Sequence, residues 1–160
     1  MFKRLLVFPL LIAAAIAQDN APRRLEVLFL GDDRGHKPIE RYRVLKQALG
    51  PRGYNLSWVE DLSQLTRERL DRYDSVIVYA NHEQDEVPAA LLGWVRDGGG
   101  LVALHCASAC FHPSGEWFEL VGGRFESHEG HVFSPENVDA RHPITKDLPK
   151  LEAWDETYVH

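Results

Sequence analysis

The stretch Gly98–Cys110, GGGLVALHCASAC, sets an imidazole and a thiol side by side at the end of a short apolar run. Either group could do chemistry. His105 could act as a general acid or base or as a metal ligand, and Cys106 as a nucleophile once deprotonated. Three glycines, the run Leu101–Leu104 and the small residues behind it read as a turn, a buried strand and a sharp exit. In an open α/β sheet the carboxyl ends of parallel strands face the crevice where ligands bind, so reactive groups are expected at such an exit. A nucleophile elbow needs small residues two before and two after its apex, because the turn brings backbones close. Centred on His105 the flanks are Ala103 and Ala107; centred on Cys106 they are the bulky Leu104 and Ser108. The spacing therefore puts imidazole, not thiol, at the apex.

Seven further histidines are present. His36 follows the first expected strand, His82 the third and His105 the fourth, so three parallel strand ends would bring them to one rim. His128, His131 and His142 lie in later loops that must fold back. With Asp32, Asp33, Glu83, Glu129, Asp155 and Glu156 as neighbouring carboxylates, such imidazoles could assemble a zinc or similar divalent site. No HExxH or CxxC pair is present, so the ligands would come from scattered loops. A general acid/base site of His105 with Asp or Glu partners, Glu156 among them, needs no metal and stands beside the metal reading. His112 and His160 read as ordinary loop or surface histidines, and Trp117 and Phe118 as core. Trp154 and Tyr158, flanking Asp155 and Glu156, could form a sugar platform with an apolar face and polar edges; Asn81 is counted with them as substrate-binding. The loop GDDRGHK has no GxGxxG, and Asp32 and Asp33 would repel a phosphate, which excludes a nucleotide site there.

These residues need a scaffold, and alternating strand and helix signals supply one. Leu25–Leu30 reads as a strand, and Pro38 opens a helix with Ile39, Tyr42, Leu45 and Leu49 at helical spacing, ended by Gly50 and Pro51. Asn55–Glu60 reads as a second strand. Asp61 with Gln64 resembles a capping box opening a helix that ends near Tyr73. Ser75–Ala80 is apolar on both parities, as in a parallel strand buried on both faces. Pro88 starts a helix with Leu91, Leu92 and Val95 inward, stopped at Gly98–Gly100. The alternation predicts an α/β, doubly wound, mostly parallel sheet with right-handed connections. Glu116–Val121 reads as a short amphipathic helix, and turn-rich chain follows it. Trp154–His160 looks like the start of a strand or site loop, so the domain is expected to be C-terminally incomplete.

Met1–Gln18 has a basic start at Lys3 and Arg4, an apolar run from Leu5 and small residues Ala15 and Ala17. This is the layout of a secretory signal peptide cleaved after Ala17, and its run falls short of the roughly 20 apolar residues of a membrane span. The expected organisation is a signal peptide over 1–17, a linker over 18–24 and one domain over 25–160, secreted or periplasmic. Without Lys3 and Arg4 the chain keeps 16 basic residues against 24 acidic ones, a net charge of −8. Such an acidic surface argues against nucleic acid or an anionic membrane as partner. Cys106 and Cys110 are the only cysteines. Four residues apart on one helix they would lie near the upper limit of disulfide spacing, so small thiols, a bridge and metal ligation all stay open. A thiol hydrolase built on Cys106 is opposed by Leu104 and by an oxidising compartment.

Taken together, His36 behind the first strand, GGGLVALH ending at His105, ELVGGRF, His128, RHPIT with His142 and DETY with Glu156 and Tyr158 resemble the ThuA-like, trehalose-utilisation family. The resemblance covers nearly all of Leu25–Tyr158. It implies a flavodoxin-like sandwich of the class I glutamine amidotransferase-like superfamily, without that superfamily's Cys-His-Glu triad. It also implies a link to sugar metabolism, including keto-sugars, company with other modules in larger proteins, and a metal-dependent role, for which His36, His105, His128 and His142 are the expected ligands. The expected partner is a small sugar or sugar derivative. A non-catalytic carbohydrate- or partner-binding module using the same crevice is the alternative. Family domains usually continue beyond DETY, in line with an incomplete C-terminus.

Overall fold

The computed structural model describes residues 22–160. The expected signal peptide and most of the linker lie outside the described residues. Among the described residues no helix is long and apolar enough to cross a membrane.

Four parallel strands form the main sheet: β1 (Leu25–Leu30), β2 (Tyr54–Val59), β3 (Ser75–Val78) and β4 (Gly100–Ala103), in the order β2-β1-β3-β4. Helix α1 (Pro38–Leu49) connects β1 to β2, α2 (Arg67–Leu70) precedes β3, and α3 (Ala89–Arg96) connects β3 to β4. After β4 come a 3-10 turn (His105–Ala109) and α4 (Gly115–Val121). This is the doubly wound, flavodoxin-like α/β architecture, in which the order reverses at β1 and β3 and the crevice opens at their carboxyl ends.

Strand periodicity divides the core in two. Leu28, Leu30, Val76 and Val78 point to one face and pack with Leu91, Leu92 and Trp94 of α3, Leu70 of α2 and Trp117 of α4. Val27, Phe29 and Ile77 point to the other and pack with Leu56 and with Tyr42, Leu45 and Leu49 of α1. Each strand of the centre is thus apolar on both parities, which is why β1 and β3 read as continuous apolar runs. The Tyr42 hydroxyl donates to the carbonyl of Leu56 at 3.0 Å and fastens α1 to β2.

Two expectations about the main sheet and its helices are corrected. The helix expected from Asp61 to Tyr73 is a 3-10 turn over Leu62–Gln64 followed by the four-residue α2. Two caps compete in that stretch: Asp61 accepts from the Ser63 N–H at 2.9 Å, and Thr66 accepts from the Arg69 N–H at 3.3 Å. Between them Leu65 leaves helical geometry and is buried. Strand β4, expected to be buried, ends the sheet among the described residues, and Val102 and Ala103 are exposed.

The later chain forms a separate antiparallel pair, β5 (Ser127–Phe133) and β6 (Ala153–Val159), with His128 opposite Tyr158 and Gly130 opposite Glu156. The chain around His128 and His131, expected as loop, is therefore half of this hairpin. Its strand signal is masked because nearly all of β5 is exposed and carries no alternation of apolar residues.

The rim of the sheet depends on a close approach at Gly31. Phe29 and Trp58 are register partners with stacked rings, centroids 5.5 Å apart, and the indole reaches over Gly31. A Cβ there would lie 2.0 Å from Trp58 Cη2. Gly31→Ala is expected to cost about 1–3 kcal/mol through overpacking. Denaturant unfolding should show that cost largely vanish in a Trp58→Leu background; an equal cost in both backgrounds would contradict the contact.

Candidate active site at the strand ends

The chain leaves the sheet at His105. The N–H of Leu104 still donates to the carbonyl of Val78 at 2.9 Å, and the next residue turns into the left-handed region at φ 49°. For a non-glycine residue this conformation costs on the order of 1–3 kcal/mol and persists only where its surroundings determine it. Here the following turn is anchored: the Trp117 indole N–H donates to the carbonyl of Ala107 at 2.9 Å, and Ala107 is fully buried. His105 thus occupies the apex of an elbow, with the adjacent Cys106 turned into the core. Both cysteines are free and buried, and burial pushes each thiol up to about 12, far from a reactive thiolate.

A second backbone reversal presents His36. His36 and Lys37 are consecutive residues at positive φ, 60° and 49°, just before Pro38 starts α1. His36 Nδ1 and His105 Nε2 are 3.1 Å apart, with the rings edge to face and centroids 4.6 Å apart. At that spacing one nitrogen donates and the other accepts, so the pair needs at least one N–H between them.

The hairpin supplies the other wall. Trp154, Glu156 and Tyr158 alternate onto one face of β6, opposite Val132, Gly130 and His128 of β5. Glu156 Oε2 is 3.7 Å from His105 Nε2, and Oε1 is 3.8 Å from His128 Nε2. The Tyr158 hydroxyl is 3.2 Å from His105 Nε2, with ring centroids 4.7 Å apart. The hairpin is fastened to the elbow itself, through the Phe125 N–H to the carbonyl of Ser108 at 3.0 Å and His160 Nε2 to Ser108 Oγ at 3.0 Å.

One ligand atom from each of His36, His105 and Glu156 lies within 4.8 Å of the other two. Glu156 Oε2 is buried and has no hydrogen-bond partner among the described residues. Burial, helped by the neighbouring His36, holds the His105 imidazole below its ordinary value of 6.5 against the opposing pull of Glu156 and Asp155. Burial, then the Glu156 carboxylate, pushes the Tyr158 phenol far up, so it keeps its proton. The centre is a neutral imidazole flanked by a second imidazole, a carboxylate and a protonated phenol. Such a set can bind a cation, or exchange a proton through His105.

His105 and Glu156 separate two lobes of cavity. The larger, about 510 Å³, adds His36, Arg41, Tyr79, Leu104 and Asp155; the smaller, about 350 Å³, adds Ala103, Ser108, Val121, Tyr158 and His160.

Of the residues expected at the site, His36, His105, Glu156 and Tyr158 converge, and His128 stands at its outer edge, 43% exposed. His142 does not join them. Its Nδ1 accepts from the Ile144 N–H at 3.2 Å within its own turn, and it lines a separate groove with Val138 and Leu148. His82 is buried, bonded to Asp85 at 3.0 Å and stacked on Phe111, so only two of the three strand-end histidines meet. His131 falls on the opposite face of the hairpin from His128. Trp154 is 69% exposed and lies over Gly130, where a Cβ would approach its Cζ2 to 2.9 Å; it lines neither lobe. Asn81 also lines neither lobe; its backbone ties the rim together, donating to Asp32 and accepting from Arg34. Arg41, Tyr79, Ser108 and His160 line the lobes unanticipated. The period-2 pattern Glu156, Tyr158, His160 carried the signal for the last of these.

Residues 26–160 match the family model for ThuA, described as trehalose utilisation. The chain belongs to the ThuA family. No curated protein sequence matches it. Among solved structures it is similar to a ThuA-like protein from Parabacteroides merdae ATCC 43184, at 22% identity and a TM-score of 0.70, covering 85% of this chain and 63% of that one. It is also similar to a ThuA-like protein from Bacteroides uniformis ATCC 8492, at 21% identity and a TM-score of 0.67, covering 85% and 61%. This ThuA-family chain therefore spans less than two thirds of the length of either neighbour, and at these identities the likeness speaks to the fold.

The depressed His105 predicts a pH dependence of stability. Below pH 6.5 the unfolded chain takes up the proton before the folded one, so this contribution is complete above 6.5 and is lost as pH falls through the folded value. His105→Asn keeps a residue that tolerates the left-handed region and removes the titration. In chelator, the thermal midpoint of the wild type should fall more between pH 7.5 and 5.0 than that of His105→Asn. Equal falls would contradict the burial of this ring.

Proposed function

We propose that this ThuA-family domain is an exported carbohydrate-processing enzyme acting on a sugar or keto-sugar at a divalent-metal site. The observation that carries the reading is the convergence of His36, His105 and Glu156, with a buried Glu156 oxygen that lacks a hydrogen-bond partner among the described residues. A buried, unsatisfied carboxylate oxygen is costly, and a cation would satisfy it. Two imidazoles and one carboxylate are also a donor set suited to zinc or a neighbouring divalent ion.

His36, His105 and Glu156 would hold the ion, which when bound supplies Lewis acidity toward a carbonyl or hydroxyl oxygen. The chain's own residues do the rest. Burial keeps His105 neutral and ready to offer a lone pair. Tyr158, still protonated, can donate a hydrogen bond into the smaller lobe, and His128 at the outer edge can accept or return a proton beside Glu156. The two lobes on either side of His105 give room for groups on both sides of a reacting centre.

The test is elemental analysis of protein purified without chelator, combined with turnover of a panel of keto-sugars and trehalose derivatives. Roughly one divalent ion per chain is expected. His105→Asn and Glu156→Gln should each lower metal affinity at least tenfold, on the order expected for loss of a ligand, and abolish turnover. Absence of metal, or turnover unaffected by either variant, would overturn the proposal. Saturable sugar binding that survives both His105→Asn and chelator, with no product, would identify a binding module in its place.

A further inference from the structure

The larger lobe carries a charge that the metal reading leaves unused. Arg41 lies on the first turn of α1, five residues after His36, and its exposed side chain lines the lobe with His36, Tyr79 and Asp155. Among the described residues it takes part in none of the ion pairs, whereas Arg23, Arg67, Arg72 and Arg96 each hold a carboxylate. Asp155, the lobe's other charged group beside Glu156, spends one oxygen on the Glu156 N–H at 2.9 Å. The Arg41 guanidinium lies beside the Tyr79 hydroxyl, on a tyrosine that is 8% exposed, so one boundary of its position is rigid.

The charge balance says what such a lobe would accept. With a divalent ion on His36, His105 and Glu156, the fixed charges are the ion, Arg41, Asp155 and Glu156, leaving one positive charge in excess. A neutral sugar would leave that excess charge uncompensated and offer the guanidinium's planar fork only hydroxyl acceptors. A monoanion with two coplanar oxygens would satisfy both.

Resting on the metal-site reading above, we infer that Arg41 selects the substrate, and that the substrate class is a sugar acid whose carboxylate pairs with Arg41 while its ring hydroxyls face His105 and Glu156. The same helix start sets both partners of this recognition. The turn at His36 and Lys37 places the imidazole, and the helix it opens carries Arg41 one turn on. A phosphate monoester would offer oxygens to the same fork, but its second negative charge would exceed the lobe's balance.

The experiment is calorimetric titration of the purified protein with D-glucuronate, D-glucose and D-glucose 6-phosphate, with metal content measured on the same samples. Glucuronate should bind at least about tenfold more tightly than glucose, as expected for a charge-assisted pair. Arg41→Gln should erase that preference without changing metal content, and Arg41→Lys, keeping the charge and losing the fork, should retain only part of it. Arg41 is exposed on a helix, and circular dichroism of the variants checks the fold. Equal binding of the two sugars, a preference unchanged in Arg41→Gln, no binding of either sugar, or glucose 6-phosphate binding more tightly than glucuronate would each overturn the inference. A preference lost in Arg41→Gln in protein that holds no metal would uphold Arg41 as the carboxylate's partner and reject both the metal site and the charge balance drawn from it.

Discussion

The site depends on one backbone constraint, the left-handed turn at His105 that ends β4. A residue continuing the strand would alternate to one face of the sheet and stay in its layer. The turn instead lifts the imidazole out of the layer to where two other segments can reach it. It is held from below by small, buried Ala107 and by the Trp117 hydrogen bond, so the core of one sheet face stabilises the strained geometry on its rim. The same elbow sends Cys106 into the core of the opposite face, with Phe29, Ile77 and Tyr79. One conformational choice makes the histidine available and the cysteine inert.

The converging segments differ in how they are positioned. His36 is placed by the sheet, since β1 is central and its exit must cross the rim beside β3 and β4 before α1 can cover the face. Glu156 and Tyr158 are placed by the hairpin, which is not part of that sheet and is tied to it largely through Ser108 and His105. The wall carrying the carboxylate is therefore coupled to the elbow by a few polar contacts. A group bound among His36, His105 and Glu156 would bridge sheet and hairpin directly and stabilise their docking by mass action.

Much of this was legible in the amino-acid sequence. Apolar runs on both parities mark the central strands, and the alternation with helices follows from them. The small residues at 103 and 107 single out His105 over Cys106 because an elbow imposes a steric rule on its flanks. What could not be read was which loops meet. His142 and His128 look alike in sequence, yet one caps its own turn and the other sits across from Tyr158 because antiparallel register puts it there. His82 follows a strand end as His105 does, but stacking on Phe111 removes it. Arg41 was hidden within a helix whose apolar residues dominated its pattern. Register and rotamer, set by packing over long sequence separations, decide such cases.

The site is made by three distant segments meeting at one imidazole. The most direct measurement is a nuclear Overhauser spectrum of the metal-free protein at pH 7.5, recorded with the ring protons of His105 assigned. Ring centroids 4.6 Å and 4.7 Å away predict cross-peaks from His105 to both His36 and Tyr158. A spectrum in which the His105 ring shows contacts to neither would contradict the site as described.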